Sequence, residues 1–317
     1  MPAVSVIIAC YNGEKVIRKA IDSVLAQTLQ NFEILVVDDG STDASVDFVA
    51  KTYPDGQVRV LKHAQNRGIS AARNTGIRAA KGDFICFLDQ DDLWYPDRLA
   101  SALEVFDQDT DGNVGLVFGN EETRTLETST LVPGRLPAPN NANALERDAF
   151  LSALILRNFI PTAAAMMRRA CFNTLGLLDE TITSGIDDFE LFLRVARAYD
   201  VRHVSKVQAI RHVHAGNFTK LARMIPEALV VLDRISVEEP AVAKVAHRAR
   251  AHYLYLLSRE QHKNREFVSA IATMWQAIKS HPFDLKSWFA LLLTFTGPVG
   301  HALFETSWMR PERHTQT

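Results

Sequence analysis

Asp89, Asp91 and Asp92 follow directly on the apolar run Phe84 to Leu88, which crowds three carboxylates at the end of one element. Like charges repel in a partly dry site, and a divalent cation is a common way to hold them together. Magnesium or manganese prefers oxygen ligands and usually shares its shell with phosphate oxygens. Acids also suit the first turn of a following helix, but one cap needs one acid and not three. A second acidic pair, Asp38-Asp39, ends the run Phe32 to Val37 and opens Asp-Asp-Gly-Ser-Thr-Asp (38–43). It reads either as turn chemistry, with Ser41 or Thr42 capping a helix through Lys51, or as a carboxylate that accepts from a base N–H or a ribose hydroxyl. The third pair, Asp187-Asp188, opens a helical stretch; it caps that helix, or it holds a general base at the mouth of a cleft.

These acids need elements that bring them to one place. Val4 to Ala9, Phe32 to Val37 and Phe84 to Leu88 are short continuous apolar runs, as expected of strands buried on both faces, and Val58 to Lys62 is a further short strand. Helical spacing fills the intervals at Glu14 to Gln27, from Ser41 or Thr42 to Lys51, and at Ile69 to Ala80. Strands alternating with helices of this length predict a mainly parallel sheet with helices on both faces. In such sheets ligands bind beyond the carboxyl ends of the strands, where Tyr11-Asn12, Asp38-Asp39 and Asp89-x-Asp91-Asp92 all fall. A helix is expected from near Pro96, a strand over Val114 to Gly119, and a loop or irregular hairpin over the site from Thr123 to Asn143. A helix at Leu145 to Arg157, a strand at Ala163 to Arg168, a helix at Phe189 to Tyr199 and a closing strand at Val201 to Ile210 complete this part. Beyond about residue 220 strand signals vanish, and helices are expected near 221–236, 240–262, 265–280 and 284–296. The domains are therefore drawn at 1–220 and 221–317.

Bulk properties narrow the function. The chain has 317 residues and a formal net charge of −2, without the basic excess of a general nucleic-acid binder. No G-x-G-x-x-G follows the first strand and there is no Walker loop, which disfavours dinucleotide oxidoreductases and P-loop enzymes. Cys10, Cys86 and Cys171 are far apart and odd in number, reading as small buried hydrophobes in a reducing compartment rather than a disulfide frame or zinc site. No basic stretch and apolar core mark a secretion signal at the N-terminus, and no apolar run is long enough to span a bilayer. The expected setting is cytoplasmic or at the inner face of the membrane, where the sequon Asn217-Phe218-Thr219 is accidental.

Taken together, four ordered blocks resemble the family 2 glycosyltransferases of the GT-A fold: SVIIACYNGE (5–14), FEILVVDDGSTD (32–43), NRGISAARNTGIRAAKGDFICFLDQDDLW (66–94) and DDFELFLR (187–194). The resemblance spans about residues 3–218. It implies a nucleotide-binding α/β domain joined to an acceptor-binding half. By position, Tyr11 and Asp39 match contacts to the base and ribose, and Arg73 a residue that helps hold the nucleotide. Asp89 and Asp91 match the D-x-D pair, Asp91 as the direct ligand of Mg2+ or Mn2+; Asp188 matches the catalytic base; His214 matches a late histidine near the diphosphate or metal. Three departures stand out: Ala9 where many members have proline, Asp187 for the usual glutamate, and His212 for a common arginine. The implied reaction is a single-displacement, inverting transfer from a nucleotide-diphosphate sugar to a glycan or lipid-linked acceptor, in polysaccharide, glycan or glycolipid synthesis.

Two other classes remain in play. A non-catalytic relative is disfavoured by the joint presence of Asp39, Asp91 and Asp188, and a nucleotidyltransferase by the lack of a Gly-rich basic loop near the first strand. The apolar C-terminal stretch Trp288 to Phe295, with Phe304 and Trp308 beyond, fits peripheral membrane contact or packing against the enzyme domain or a second copy.

Overall fold

The computed structural model describes residues 2–53, 56, 58–134, 137–214, 221–283 and 285–295. The sequon 217–219, Phe304 and Trp308 lie outside the described residues. The chain divides into two compact units, Met1–Phe218 and Thr219–Thr317.

The first unit is built on a sheet of nine strands. β1 (Val4–Cys10), β2 (Phe32–Asp38), β3 (Val58–Lys62) and β4 (Phe84–Asp89) are parallel, in the order β3-β2-β1-β4. Val4, Val6, Ile7 and Ile8 of β1 and Ile34, Leu35 and Val37 of β2 are fully buried, because helices cover both faces. α1 (Ile17–Leu25), α2 (Ser45–Thr52) and α3 (Ile69–Ala79) make the crossovers. α3 lies so close to β1 that a Cβ on Gly76 would stand 2.5 Å from Ile7 Cγ2, so only glycine fits at that contact.

The far half of the sheet is mixed. β8 (Ala165–Arg168) runs antiparallel to both β4 and β6 (Val114–Thr125), while β9 (Asp200–Val213) pairs parallel with β6 and antiparallel with the two-residue β5 (Leu93–Trp94). β6 runs past the expected end at Gly119 through Thr125, and its polar outer half pairs with β9 on one side and β7 (Leu131–Val132) on the other. α4 (Arg98–Asp107), α5 (Arg147–Leu156), α6 (Arg169–Leu175) and α7 (Asp187–Ala198) complete the unit. α6 was not anticipated.

The expectation that Ser41 or Thr42 caps the second helix is corrected. α2 begins only at Ser45; Ser41 Oγ instead accepts from the N–H of Asn12 at 2.9 Å, and Asp43 takes the Ser45 N–H at 3.0 Å. The acids after β4 cap nothing either, since β5 intervenes and α4 starts at Arg98.

The second unit contains α8 (Leu221–Glu238), α9 (Ala243–Lys263), α10 (Phe267–Ser280) and α11 (Leu285–Phe295). Leu254, Tyr255, Met274, Ala277, Ile278, Ala290 and Leu291 form its core. No described helix is long and apolar enough to cross a membrane.

Candidate active site

The carboxyl ends of β1, β2 and β4 are level: Cys10 pairs with Asp38, and Ala9 with Asp89. With strands about 4.8 Å apart, the acids of β2 and β4 flank the loop after β1. Side chains lace these loops together. The Tyr11 N–H donates to Gln90 Oε1 at 3.1 Å, and Gln90 Nε2 returns a bond to the Tyr11 carbonyl at 3.2 Å. Asn12, at φ 51°, accepts the Thr42 N–H at 2.8 Å, and Gly13 donates to Ser45 Oγ at 2.8 Å. A Cβ on Gly13 would stand 2.2 Å from Gln90 Oε1, so a larger residue there would push the Gln90 amide off the Tyr11 backbone. Tyr11 itself stays 45% exposed, a ring available for stacking.

Asp39 is buried and already richly bonded. Its Oδ1 receives His63 Nδ1 at 2.7 Å and the Arg67 N–H at 2.9 Å, and its Oδ2 receives the Gly68 N–H at 2.8 Å. A carboxylate has about four acceptor positions, so one is left on Oδ2. His63 Nε2 bonds Thr75 Oγ1 of α3 at 2.9 Å, which links Asp39 to that helix.

α3 is the organiser. Ser70, Arg73 and Asn74 stand on one face at i, i+3 and i+4, all buried. Ser70 Oγ donates to the Ile182 carbonyl at 3.0 Å; Asn74 holds Leu178 through both its carbonyl and its N–H, each at 2.9 Å. These bonds fasten the segment leading into α7. Arg73 sends one terminal nitrogen to Asp187 Oδ2 at 2.7 Å and the other to Asp89 Oδ1 at 2.8 Å, with its guanidinium over the Phe87 ring. Burial opposes the Arg73 charge, but Asp187, Asp89 and Asp188 more than offset it and raise its pKa further. Burial pushes the Asp187 carboxyl up, with Arg73 opposing and Asp188 adding to the rise. Asp187 Oδ1 is buried without a hydrogen-bond partner.

Asp188 is the second residue of α7. Its Oδ1 accepts the Phe189 N–H at 2.6 Å, and its Oδ2 accepts Thr162 Oγ1. The helix N-terminus adds a favourable field for a carboxylate.

On the other side, Asp91 Oδ2 meets His214 Nε2 at 2.9 Å. Burial raises the Asp91 carboxyl, Asp89 raises it further, and His214 works against the rise. Asp92 is pushed up well above the carboxylate range by burial and then by Asp89 and Asp91; its Oδ1 accepts the His212 N–H at 2.9 Å. His212 Nδ1 lies 2.6 Å from the Asp91 carbonyl oxygen. His212 thus fixes the acidic turn, through its own N–H to Asp92 and through its ring to the Asp91 carbonyl.

This charge crowding is what a divalent cation relieves. Asp91 and His214 would offer one oxygen and one nitrogen donor; among the described residues no group of three or more His, Cys, Asp or Glu side chains is placed to hold a metal ion by itself. The donor set fits magnesium or manganese, which takes its remaining ligands from water and phosphate oxygens.

Comparison with known proteins decides the family. The profile described as glycosyl transferase family 2 matches residues 5–176, more than half of the chain. The chain belongs to glycosyl transferase family 2. Proteins of similar sequence include an uncharacterized glycosyltransferase of Rickettsia felis, 27% identical over 80% of this chain and 41% of its own length. Another, from Rickettsia prowazekii, is 29% identical over 70% of this chain and 67% of its own length. The chondroitin synthase of Escherichia coli is 28% identical over 68% of this chain but only 30% of its own length. The chain therefore spans less than half the length of two of these three relatives. Among solved structures, S. aureus TarS in complex with UDP-GlcNAc superposes with a TM-score of 0.62 at 19% identity, over 95% of this chain and 86% of that one. The mannosyltransferase PcManGT from Pyrobaculum calidifontis, in complex with GDP-Man and Mn2+, gives 0.61 at 21% identity, over 96% and 81%. These likenesses establish the GT-A-like fold.

The side chains that brace the site and that sequence reasoning missed are Ser70, Asn74, His63 and Thr162. The first two had a legible signal in the polar stripe at i and i+4 on a helix of small residues. The others carry none, because their partners are supplied only by the fold.

Proposed function

We propose that this chain is an inverting glycosyltransferase that moves a sugar from a nucleoside-diphosphate sugar to an acceptor hydroxyl, with residues 1–220 carrying the chemistry. The observation that carries the reading is the Arg73 bridge, which ties Asp89 of the D-x-D turn to Asp187 beside Asp188. Two carboxylates of different duty are thereby held at one edge of the sheet.

In this reading Tyr11 stacks on the nucleotide base, and the open acceptor position of Asp39 takes a base N–H or ribose hydroxyl. Asp91 and His214 hold Mg2+ or Mn2+, which would neutralise charge on the departing diphosphate. Asp188 takes the proton of the acceptor hydroxyl while that oxygen forms its bond to the anomeric carbon. The bond from that carbon to the phosphate oxygen breaks, and its electron pair leaves with the nucleoside diphosphate. No covalent sugar–enzyme intermediate is needed. General-base assistance of this kind is worth about 10²–10⁴ in rate. A thermal-shift series of nucleoside diphosphates with and without manganese, followed by turnover of UDP-N-acetylglucosamine and GDP-mannose, tests the assignment. Manganese-dependent stabilisation together with sugar transfer supports it; no stabilisation by any nucleoside diphosphate contradicts it.

The helical unit supports a reading in which the acceptor is lipid-linked. Leu285, Trp288, Phe289 and Leu292 recur at i, i+3, i+4 and i+7 on α11 and are all exposed, while Ser287, Ala290 and Leu291 are buried. Such a stripe suits the interfacial zone of a bilayer.

A further inference from the structure

We propose that Thr162 is a positioning residue for the general base. The proposal rests on the reading of Asp188 as that base. The Thr162 hydroxyl donates to Asp188 Oδ2, and the Phe189 N–H takes Oδ1 at 2.6 Å. With one donor on each oxygen, rotation of the carboxylate about its terminal bond is stopped. Only the remaining lone pairs can face an incoming hydroxyl. An acceptor hydroxyl therefore meets a base whose direction is set before it arrives, which is where orientation lowers the barrier.

The platform under Thr162 is unusually well tied. Pro161 precedes it, and the Ala164 N–H closes a turn on the Pro161 carbonyl at 3.1 Å. Trp94 Nε1 donates to the Ala163 carbonyl at 2.7 Å, and Arg98, fully buried, donates to the carbonyl of Ala165. Trp94 and Arg98 follow the D-x-D-D turn within a few residues. The segment that aims the base is thus anchored to the segment that carries Asp91. Threonine suits the task, since its β-branch restricts χ1 and keeps the hydroxyl pointed. The charged neighbours of Asp188 are Arg73 of α3 and Asp187 of its own helix. Neither donates a hydrogen bond to the Asp188 carboxylate, and the hydroxyl of Thr162 is the side-chain donor recorded there.

The test compares Thr162→Val, Thr162→Ser and Asp188→Asn in the full chain, with UDP-N-acetylglucosamine and GDP-mannose as donor probes. A hydrogen bond to a charged group is worth enough that Thr162→Val lowers kcat by about ten- to a hundredfold. The acid limb of the pH–rate profile moves to higher pH, while the affinity for UDP or GDP with Mn2+, read by calorimetry, stays at the wild-type value. Thr162→Ser restores most of the rate. A second readout needs no turnover: the Asp188 carboxyl carbon-13 resonance, assigned by its loss in Asp188→Asn, titrates at higher pH in Thr162→Val and returns in Thr162→Ser. A wild-type rate profile and titration in Thr162→Val overturn the proposal, as does a serine variant as impaired as the valine one. Transfer that survives in Asp188→Asn overturns the base assignment itself; a dead Asp188→Asn beside an unaffected Thr162→Val overturns only the role of Thr162.

Discussion

Asp89 and Asp187 are held by the two ends of a single guanidinium, Arg73 lying 2.8 Å from the first and 2.7 Å from the second. Asp89 keeps 42% of its side chain exposed, whereas Arg73 and Asp187 are 4% and 1% exposed. One buried cation thus joins the end of β4 to the helix that carries Asp188.

Removing that cation leaves Asp187 as an unpaired buried charge. Arg73→Ala is expected to cost about 3–5 kcal/mol of stability, in the range for breaking a buried pair. Arg73→Lys keeps a charge but loses the fork that serves two carboxylates, so it recovers only part of the loss. Urea denaturation of the three proteins measures this. Equal stability of Arg73→Ala and the wild type would show that the bridge holds nothing together.

Metal dependence is expected to run through Asp91 and His214. Asp91→Ala should abolish the manganese-dependent part of the thermal shift produced by a nucleoside diphosphate, and His214→Ala should weaken it. His212→Ala should have a smaller effect of the same sign, because the His212 ring meets Asp91 at its backbone carbonyl and not at its carboxylate. Outer contacts of this kind are worth about 10–100-fold in metal affinity. Manganese titrations of the variants decide; an unchanged response in Asp91→Ala removes it from the ligand set.

Acid stability has a separate origin in Asp109. Burial alone would raise its carboxyl, but the Val114 N–H, the Arg168 guanidinium and the Asn113 N–H outweigh this and hold it low. A lowered folded pKa means that the contribution is present above the unfolded value of about 4 and is lost as pH falls below it. Asp109→Asn should therefore melt earlier than wild type at neutral pH, with the gap closing as pH drops under about 4. Melting curves across that range check the sign. A gap that widens in acid would contradict it.

The exposed stripe of α11 predicts binding to lipid vesicles in flotation. Replacing Leu285 and Phe289 by serine should leave the chain unbound at the same secondary-structure content. Failure of the wild-type chain to float, with dimers lost on the same substitutions in sedimentation, would assign the stripe to a second copy instead.

Legibility followed burial. β1, β2 and β4 were readable because both faces are covered, so their sequences are unbroken apolar runs. β6 was cut short in the reading because Asn120 to Thr125 form an unbroken polar run with no apolar signal, with a register shift between Asn120 and Glu121. β5 is two residues long and has no periodicity to detect. In the site, the acids at strand ends declared themselves by position. Thr162 did not, since a threonine before a strand looks like any other until an antiparallel β8 sets it against α7. Arg73 was tied by resemblance to the nucleotide; its carboxylate partners lie on β4 and at the start of α7, which no local pattern reveals.

In the proposed reaction Asp188 collects the acceptor's proton at a site where the donor is bound by other residues. Calorimetry of a nucleoside diphosphate with manganese, run on wild type and Asp188→Asn beside a sugar-transfer assay, tests it most directly. Equal affinities and a rate loss of about a hundredfold or more are expected in the variant. Transfer retained in Asp188→Asn, or donor binding lost in step with transfer, would contradict it.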